Sequence, residues 1–258
     1  MSAARGFGKH PIMRIALFAD IHGNRHAFAA CLEQARELGA ERVVLLGDYV
    51  GYGADPAWVV SAVMELVARG ALAVRGNHDS AVTNQRESMN DAAQIAIEWT
   101  RGELGPAERR FLEELPFMHE EEDRLYVHAD ASRPEAWRYV LDEADAALSL
   151  SATTAAITLC GHVHQPTLYR LTRDGQLASF LPRTGRAIPL QPDRRWLAVL
   201  GAVGQPRDGN PSASFAILDT DRRELTYCRA PYDVEAAAAA IRSKGLPSWL
   251  ADRLLIGA

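Results

Sequence analysis

The first eighty residues repeat one unit, a short apolar run followed at once by polar residues, and this repetition admits few folds. Residues 12–19 are apolar and end at Asp20, which suits a buried strand. Residues 24–38 then carry Ala27, Phe28, Cys31, Leu32, Ala35 and Leu38, a stripe at helical spacing closed by Gly39. Residues 42–46 are a second run, ending at Gly47-Asp48. Asp55 followed by Pro56 marks a helix start, and that helix is expected to reach Arg69 before Gly70. Residues 71–74 are a third run, ending at Gly76-Asn77-His78-Asp79. The order β-α-β-α-β implies parallel strands joined by crossover helices. Ligands of open α/β sheets sit beyond the carboxyl ends of the strands, and here each of those ends carries Asp, Asn or His.

Further along, residues 90–115 pattern as two helices broken at Gly105-Pro106. Residues 125–127 read as a strand ending at His128, and 155–159 as a strand ending at Gly161-His162-Val163-His164. After Pro166 the texture changes to short alternating strands at 167–171, 177–181, 196–200, 213–218 and 224–229. These are expected to form an antiparallel second sheet packed on the first. Residues 231–256 read as a helical tail, with alanines at 236–240 and a second helix after Pro247. The expected fold class is α/β: a two-sheet β-sandwich flanked by helices, in a single domain over residues 13–258. Residues 1–12, polar and glycine-bearing, read as a disordered tail, and Met13 offers an alternative start.

The formal net charge of −5 leaves no basic footprint for a nucleic-acid polymer. An acidic chain still binds phosphate where metal ions supply positive charge locally. Cys31, Cys160 and Cys228 are few and widely spaced, which argues against a disulfide framework and for a reducing compartment. No apolar run approaches the ~20 residues needed to span a bilayer, and the first residues lack the apolar core of a signal peptide. A cytoplasmic location and no membrane partner are expected; nothing in the pattern speaks to oligomeric state.

Five segments place Asp, Asn or His directly after a strand: Asp20-Ile21-His22, Gly47-Asp48, Gly76-Asn77-His78-Asp79, His128 and Gly161-His162-Val163-His164. Residues two apart in a short loop can turn toward one point, which applies to Asp20 with His22 and to His162 with His164. Glycines before Asp48, Asn77 and His162 permit the tight turns that bring backbone close to a metal. Mixed imidazole and carboxylate donors suit Mn, Fe, Zn or Ni better than an all-oxygen Mg or Ca site.

In this chain order the blocks resemble the calcineurin-like metallophosphoesterase superfamily, whose pattern runs D-x-H, G-D, G-N-H-D/E, H and G-H-x-H. Residues 20–24, 47–53 and 203–208 resemble its bacterial branch, which includes phosphodiesterase-like proteins and some diadenosine tetraphosphate hydrolases. The resemblance extends from Met13 to the C-terminus. It implies two divalent transition-metal ions (Mn, Fe, Zn or Ni). One would be bound by Asp20, His22, Asp48 and His164, the other by Asp48, Asn77, His128 and His162, with Asp48 bridging. It also implies in-line attack on phosphorus by a hydroxide shared between the metals. His78 would be the general acid that protonates the departing oxygen. Three departures stand out. Gly51 and Tyr52 occupy the positions where dinuclear Ser/Thr phosphatases carry an Asp that orients the acid histidine and an Arg that holds phosphate. Ala129-Asp130 replaces the branch's Gly-Ser after His128, and Val199 stands where the branch carries Asn.

His10, His26 and His119 fall outside the blocks and receive no role: His10 reads as solvated tail, His26 as an exposed helix position and His119 as a loop residue; the acidic run 120–123 reads as a solvated turn. Cys160 reads as a small buried hydrophobe, Gly51-Tyr52-Gly53 as a loop at the rim of the site, and Trp99 and Trp137 as packing residues, with an aromatic over a base as the alternative for either. Asn24, Arg25, Arg133 and Arg207 are the candidate phosphate contacts, because all lie in or near loops of the motif blocks. The expected activity is metal-dependent hydrolysis of a small phosphodiester or a dinucleoside polyphosphate, its partner being a small phosphoester or nucleotide. A phosphomonoesterase is the alternative within the enzyme class. A non-catalytic binding module on the same scaffold is the alternative outside it.

Overall fold

The computed structural model describes residues 13–84, 87, 89 and 91–258. The tail expected at 1–12 and the helix start expected at Asn90 lie outside the described residues. The chain begins with β1 (Arg14–Phe18), α1 (Arg25–Glu37), β2 (Arg42–Leu45), α2 (Pro56–Ala68) and β3 (Leu72–Ala73). Next come α3 (Asn77–Thr83), α4 (Asp91–Glu103), α5 (Pro106–Glu114), β4 (Met118–Glu121), β5 (Arg124–Val127) and a 3-10 turn (Pro134–Ala136). Then follow α6 (Glu143–Ser151), β6 (Ile157–Cys160), β7 (Thr167–Leu171), β8 (Leu177–Phe180), β9 (Ala187–Pro189) and β10 (Arg195–Val199). The chain ends with β11 (Ala213–Asp219), β12 (Glu224–Ala230), α7 (Val234–Ser243) and α8 (Ser248–Ile256).

Among the described residues these strands make two six-stranded mixed sheets, flanked by helices, in the orders β3-β2-β1-β11-β12-β9 and β4-β5-β6-β10-β7-β8. β1, β2 and β3 are parallel, as the crossover helices require. The expectation of one separate antiparallel sheet after Pro166 is corrected. β11, β12 and β9 extend the first sheet, β11 running antiparallel to β1 with Ile15 opposite Leu218 and Leu17 opposite Ala216. β10, β7 and β8 extend the second sheet, β10 running parallel to β6. The physical reason is that β1 and β6 each have a free edge once their parallel partners are in place. An unpaired buried edge leaves backbone groups unsatisfied, so the later strands divide between the two edges.

Alternation along β1 sets the layers. Ile15, Leu17 and Ala19 face the second sheet and meet Tyr126, Leu159, Trp196 and Ala198. Ala16 and Phe18 face outward onto α1 through Phe28 and Cys31. The far side of the second sheet is covered by α6 through Ala146 and Leu150. Two further corrections follow from pairing. The run 120–123 is not only a turn: Glu120 and Glu121 belong to edge strand β4, which pairs with β5, and His119 lies in that strand rather than in a loop. The turn itself is Glu122-Asp123, with Glu122 at φ 56°, and Glu121 reaches Arg42 of the first sheet at 2.8 Å.

This topology determines where the chemistry sits. β1, β2 and β3 in one sheet, and β5, β6 and β10 in the other, are parallel within their own sheets. Their carboxyl ends carry the five blocks and, after β10, the 201–208 loop. That loop is laced to the first sheet by Val203 N–H to the Ala19 carbonyl (2.9 Å) and Gly204 N–H to the Asp20 carbonyl (2.8 Å).

Candidate metal centre

Asp20, His22, Asp48, His128, His162 and His164 are all buried; Asp48, His162 and His164 line a cleft of about 260 Å³, and Asp20, His22 and His128 cluster with them. His164 Nε2 lies 3.0 Å from His22 Nε2 and 3.4 Å from Asp20 Oδ1. His128 Nε2 lies 3.2 Å from His162 Nδ1 and 3.1 Å from Asn77 Oδ1. Asp48 Oδ2 stands between the two groups, 3.6 Å from His22 Nε2 and 3.4 Å from His128 Nε2. The structure therefore brings together all seven residues singled out as metal ligands.

Each of the four imidazoles is oriented by a backbone carbonyl. His22 Nδ1 donates to Val50 (3.0 Å), His128 Nδ1 to Leu46 (2.7 Å), His164 Nδ1 to Gln205 (2.6 Å) and His162 Nε2 to Trp137 (2.9 Å). A carbonyl only accepts, so the bonded nitrogen must carry the hydrogen and the other nitrogen turns toward the cleft. Outer partners of this kind are what hold metal-ligating histidines. Two imidazole lone pairs 3.0 Å apart, as at His22 and His164, repel unless a cation lies against them. The donor set therefore fits divalent transition-metal ions.

The electrostatics agree. Burial, aided by His78, holds His22 well below its usual value. Burial, aided by His128, pushes His162 down to about 3. Burial would also lower His128, but the Asp48 carboxylate overrides it and raises this imidazole to about 9. Burial works against the Asp48 charge, yet His128, His78 and His22 together hold its carboxyl well below the usual range. A proton on His128 would compete with a cation for this position.

The backbone is strained at the same place. Asp20 (φ 55°), His22 (49°), Asp48 (56°), His162 (68°) and His164 (65°) are all left-handed, a region costing roughly 1–2 kcal/mol for each non-glycine residue. Such outliers cluster at functional sites because surrounding structure over-determines them. Asp79 supplies part of that structure. Fully buried, its carboxylate accepts N–H bonds from Asp48 (2.8 Å), Tyr49 (2.9 Å) and Gly76 (2.9 Å), tying the second and third blocks together. Burial and the neighbouring Asp48 push its carboxyl up to about 7. Gly76 has no alternative, since a Cβ there would lie 2.2 Å from Asp48 Oδ1.

His78 differs from the four carbonyl-oriented imidazoles. Its backbone N–H donates to Asp48 Oδ1 (2.8 Å) and its Nε2 lies 3.9 Å from Asp48 Oδ2. Its buried Nδ1 has no hydrogen-bond partner among the described residues. The ring is held instead by contact with Tyr52 at 4.5 Å and His22 at 4.7 Å between centroids, and by Gly51, where a Cβ would come within 2.3 Å of Nδ1. Burial is the main cause of its lowered value of about 4.

Of the four residues singled out for phosphate, Arg207 lines the cleft. Its guanidinium is held by Gln205 Oε1 at 2.8 and 3.3 Å and lies 5.8 Å from the Tyr52 ring centroid. Asn24 is committed to the scaffold: its Oδ1 caps α1 at Ala27 N–H (3.0 Å), and its amide donates to Gly204 (2.9 Å) and Tyr232 (3.3 Å). Arg25 is exposed over Trp58 at 5.1 Å, and Arg133 is exposed beside Glu135 at 3.9 Å. The structure places neither against the cleft. The reading of the motifs missed Tyr139 in the cleft wall, the Gln205 side chain and the four orienting carbonyls. Every residue has a carbonyl, so residue type carries no signal for the last. Cys160 is buried and unbridged.

Comparison with known proteins gives the class. The profile of the calcineurin-like phosphoesterase superfamily domain matches residues 13–223, and the chain belongs to that family. It is 33% identical over 250 residues to an uncharacterized protein of Methanocaldococcus jannaschii, covering 94% of this chain and 98% of that one. It superposes on the crystal structure of a metallophosphoesterase from Sphaerobacter thermophilus with a TM-score of 0.84 and 34% identity, covering 96% of this chain and 100% of that one. It is 27% identical over 219 residues to the phosphodiesterase YfcE of Escherichia coli, covering 81% and 89% of the two chains. The family makes the protein a phosphoester hydrolase that uses divalent metal. Among the described residues no helix is long and apolar enough to cross a membrane.

Proposed function

We propose that this protein hydrolyses small phosphodiesters, or the phosphoanhydride link of dinucleoside polyphosphates, at a dinuclear centre. The observation that carries the proposal is the convergence of two buried donor groups on a shared Asp48 at the floor of a cleft lined by Arg207 and His78. Asp20, His22, Asp48 and His164 would hold one cation, and Asp48, Asn77, His128 and His162 the other. The cations would supply Lewis-acid charge on the phosphoryl oxygens and activate the attacking water.

The chain's own residues do the rest. Arg207, held by Gln205 beside Tyr52, presents a charged fork to a phosphoryl oxygen from the second sheet's side of the cleft. His78, buried and close to Asp48, offers an imidazole N–H to the departing oxygen, a contribution worth roughly 10²–10⁴ in rate. Tyr52 stands where a protein phosphatase would carry its phosphate-binding Arg, which disfavours protein substrates. YfcE, named a phosphodiesterase, supports a diester preference.

A matrix of Mn, Fe, Zn, Ni and Mg against a monoester, a diester and a dinucleoside polyphosphate tests this reading. Turnover of the diester or the polyphosphate with at least one transition metal is expected. Turnover of the monoester alone would replace the diesterase with a phosphomonoesterase. Bound metal with no turnover of any substrate would leave only a binding module.

A further inference from the structure

We propose that Tyr139 and Trp137 form a subsite for a nucleobase carried by the phosphoester, an inference that rests on the hydrolase reading of the same cleft. Tyr139 stacks flat on His162, with centroids 4.1 Å apart and planes 14° apart, while 48% of the residue remains exposed. One face of the phenol ring is thus fixed against the His162 imidazole, and the residue, half exposed, lines the cleft. A rigid aromatic with a free face is a stacking platform that loses little conformational entropy on binding.

Trp137 stands beside it on the same wall. Its carbonyl orients His162 at 2.9 Å, and its own backbone is left-handed at φ 52°. Its indole N–H is tied to the Glu87 carboxylate. The ring packs edge-on to His128 at 5.9 Å and against Phe117 at 5.6 Å. Strain, a polar tether and two aromatic neighbours together hold one large ring at the mouth of a polar cleft.

The surroundings select the kind of group. An alkyl chain would need a continuous apolar channel, whereas here the aromatic rings are set among imidazoles, carboxylates and Arg207. A flat heteroaromatic ring with polar edges fits that combination, because its π face stacks and its edges stay hydrated or hydrogen-bonded. With the phosphoryl group over the donor atoms, Arg207 and Tyr139 both line the same cleft. The base would lie on the outer face of Tyr139, one ring beyond His162.

The test compares adenosine 5′-phosphonate with ribose 5-phosphonate, whose phosphorus–carbon bonds resist hydrolysis, in equilibrium binding to the manganese-loaded protein. A base on an aromatic platform should tighten binding roughly 10- to 100-fold. Tyr139→Phe should keep that ratio, and Tyr139→Leu should bring it to within about threefold of unity, as expected for loss of a stacking partner. A ratio near one in the unaltered protein overturns the subsite, and this comparison needs no variant to fold. A ratio that survives Tyr139→Leu overturns the role of Tyr139. Turnover of diesters with a ratio near one keeps the hydrolase and removes the subsite. A high ratio without turnover of any diester or polyphosphate keeps the subsite and removes the hydrolase.

Discussion

Replacing Gly51 by alanine probes how a histidine without a hydrogen-bonded orienter is held. In the structure a Cβ at this position would sit 2.3 Å from His78 Nδ1 and 3.1 Å from its Cγ. An ordinary contact is about 3.5 Å, so the imidazole must retreat by about 1.2 Å. It cannot do so freely, because Tyr52 and His22 pack against it at 4.5 and 4.7 Å. Overpacking of this kind costs about 1–3 kcal/mol, and an alanine at φ 85° adds about 1–2 kcal/mol of backbone strain. The sum, about 2–5 kcal/mol, leaves a protein of ordinary stability folded but measurably weakened. Displacing a catalytic group by about 1 Å can reduce the rate by about 10². Steady-state kinetics on a diester with an alkoxide leaving group, at matched metal content, should show that loss in kcat. In a His78→Ala background the same substitution meets a methyl group instead of a ring, so its kinetic effect should shrink to within about threefold, the signature of two coupled positions. A Gly51→Ala protein with unaltered kcat, or one that loses the same factor with and without His78, would refute the packing argument.

Other perturbations separate the parts of the site. Asp48→Asn removes the anionic oxygen that faces His22, His128 and His78; metal content by mass spectrometry should fall at both sites and turnover should drop to background. Most of the wild-type rate surviving that change would contradict the bridging role. His78→Ala should slow an alkoxide leaving group by roughly 10² or more and a nitrophenolate far less, since the latter needs no proton; equal losses on the two would count against an acid role. Asp79→Asn turns an amide NH₂ toward at least one of three backbone N–H groups. An unsatisfied buried donor costs about 1–3 kcal/mol, and outer-partner changes typically weaken metal affinity 10–100-fold. Chemical denaturation and metal titration should show both effects, and unaltered metal affinity would mean that Asp79 does not hold the two loops.

Much of the site was legible because it is made of rare residue types in a set order. Asp20, His22, Asp48, Asn77, His128, His162 and His164 could be named from five short blocks, and the structure gathers their side chains into one cluster beside the cleft. α1, α2 and the break between α4 and α5 were equally readable, since capping and helical spacing are local. The run 143–151 gave no stripe to read: only Ala146, Ser149 and Leu150 of α6 are buried, too few large side chains to mark a face.

What the chain order could not decide was partnership. Alternation reveals a strand and its two faces but not the strand beside it, so the division of β7 to β12 between two sheets waited for tertiary structure. Met13 and Thr220, bonded across a separation of 207 residues, show how non-local that choice is. The same holds around the cleft. Asn24 lies in a motif block yet is committed to capping α1, whereas Arg207, 183 residues further along the chain, is carried into the cleft by the loop after β10. Rare residue types in a set order, through the family resemblance they carry, announced the candidate metal ligands, because few side chains can do that work. The groups that orient them are backbone carbonyls, and the aromatic wall beside them is built of residues common in any core. Only the folded arrangement distinguishes those from their many equivalents elsewhere in the chain.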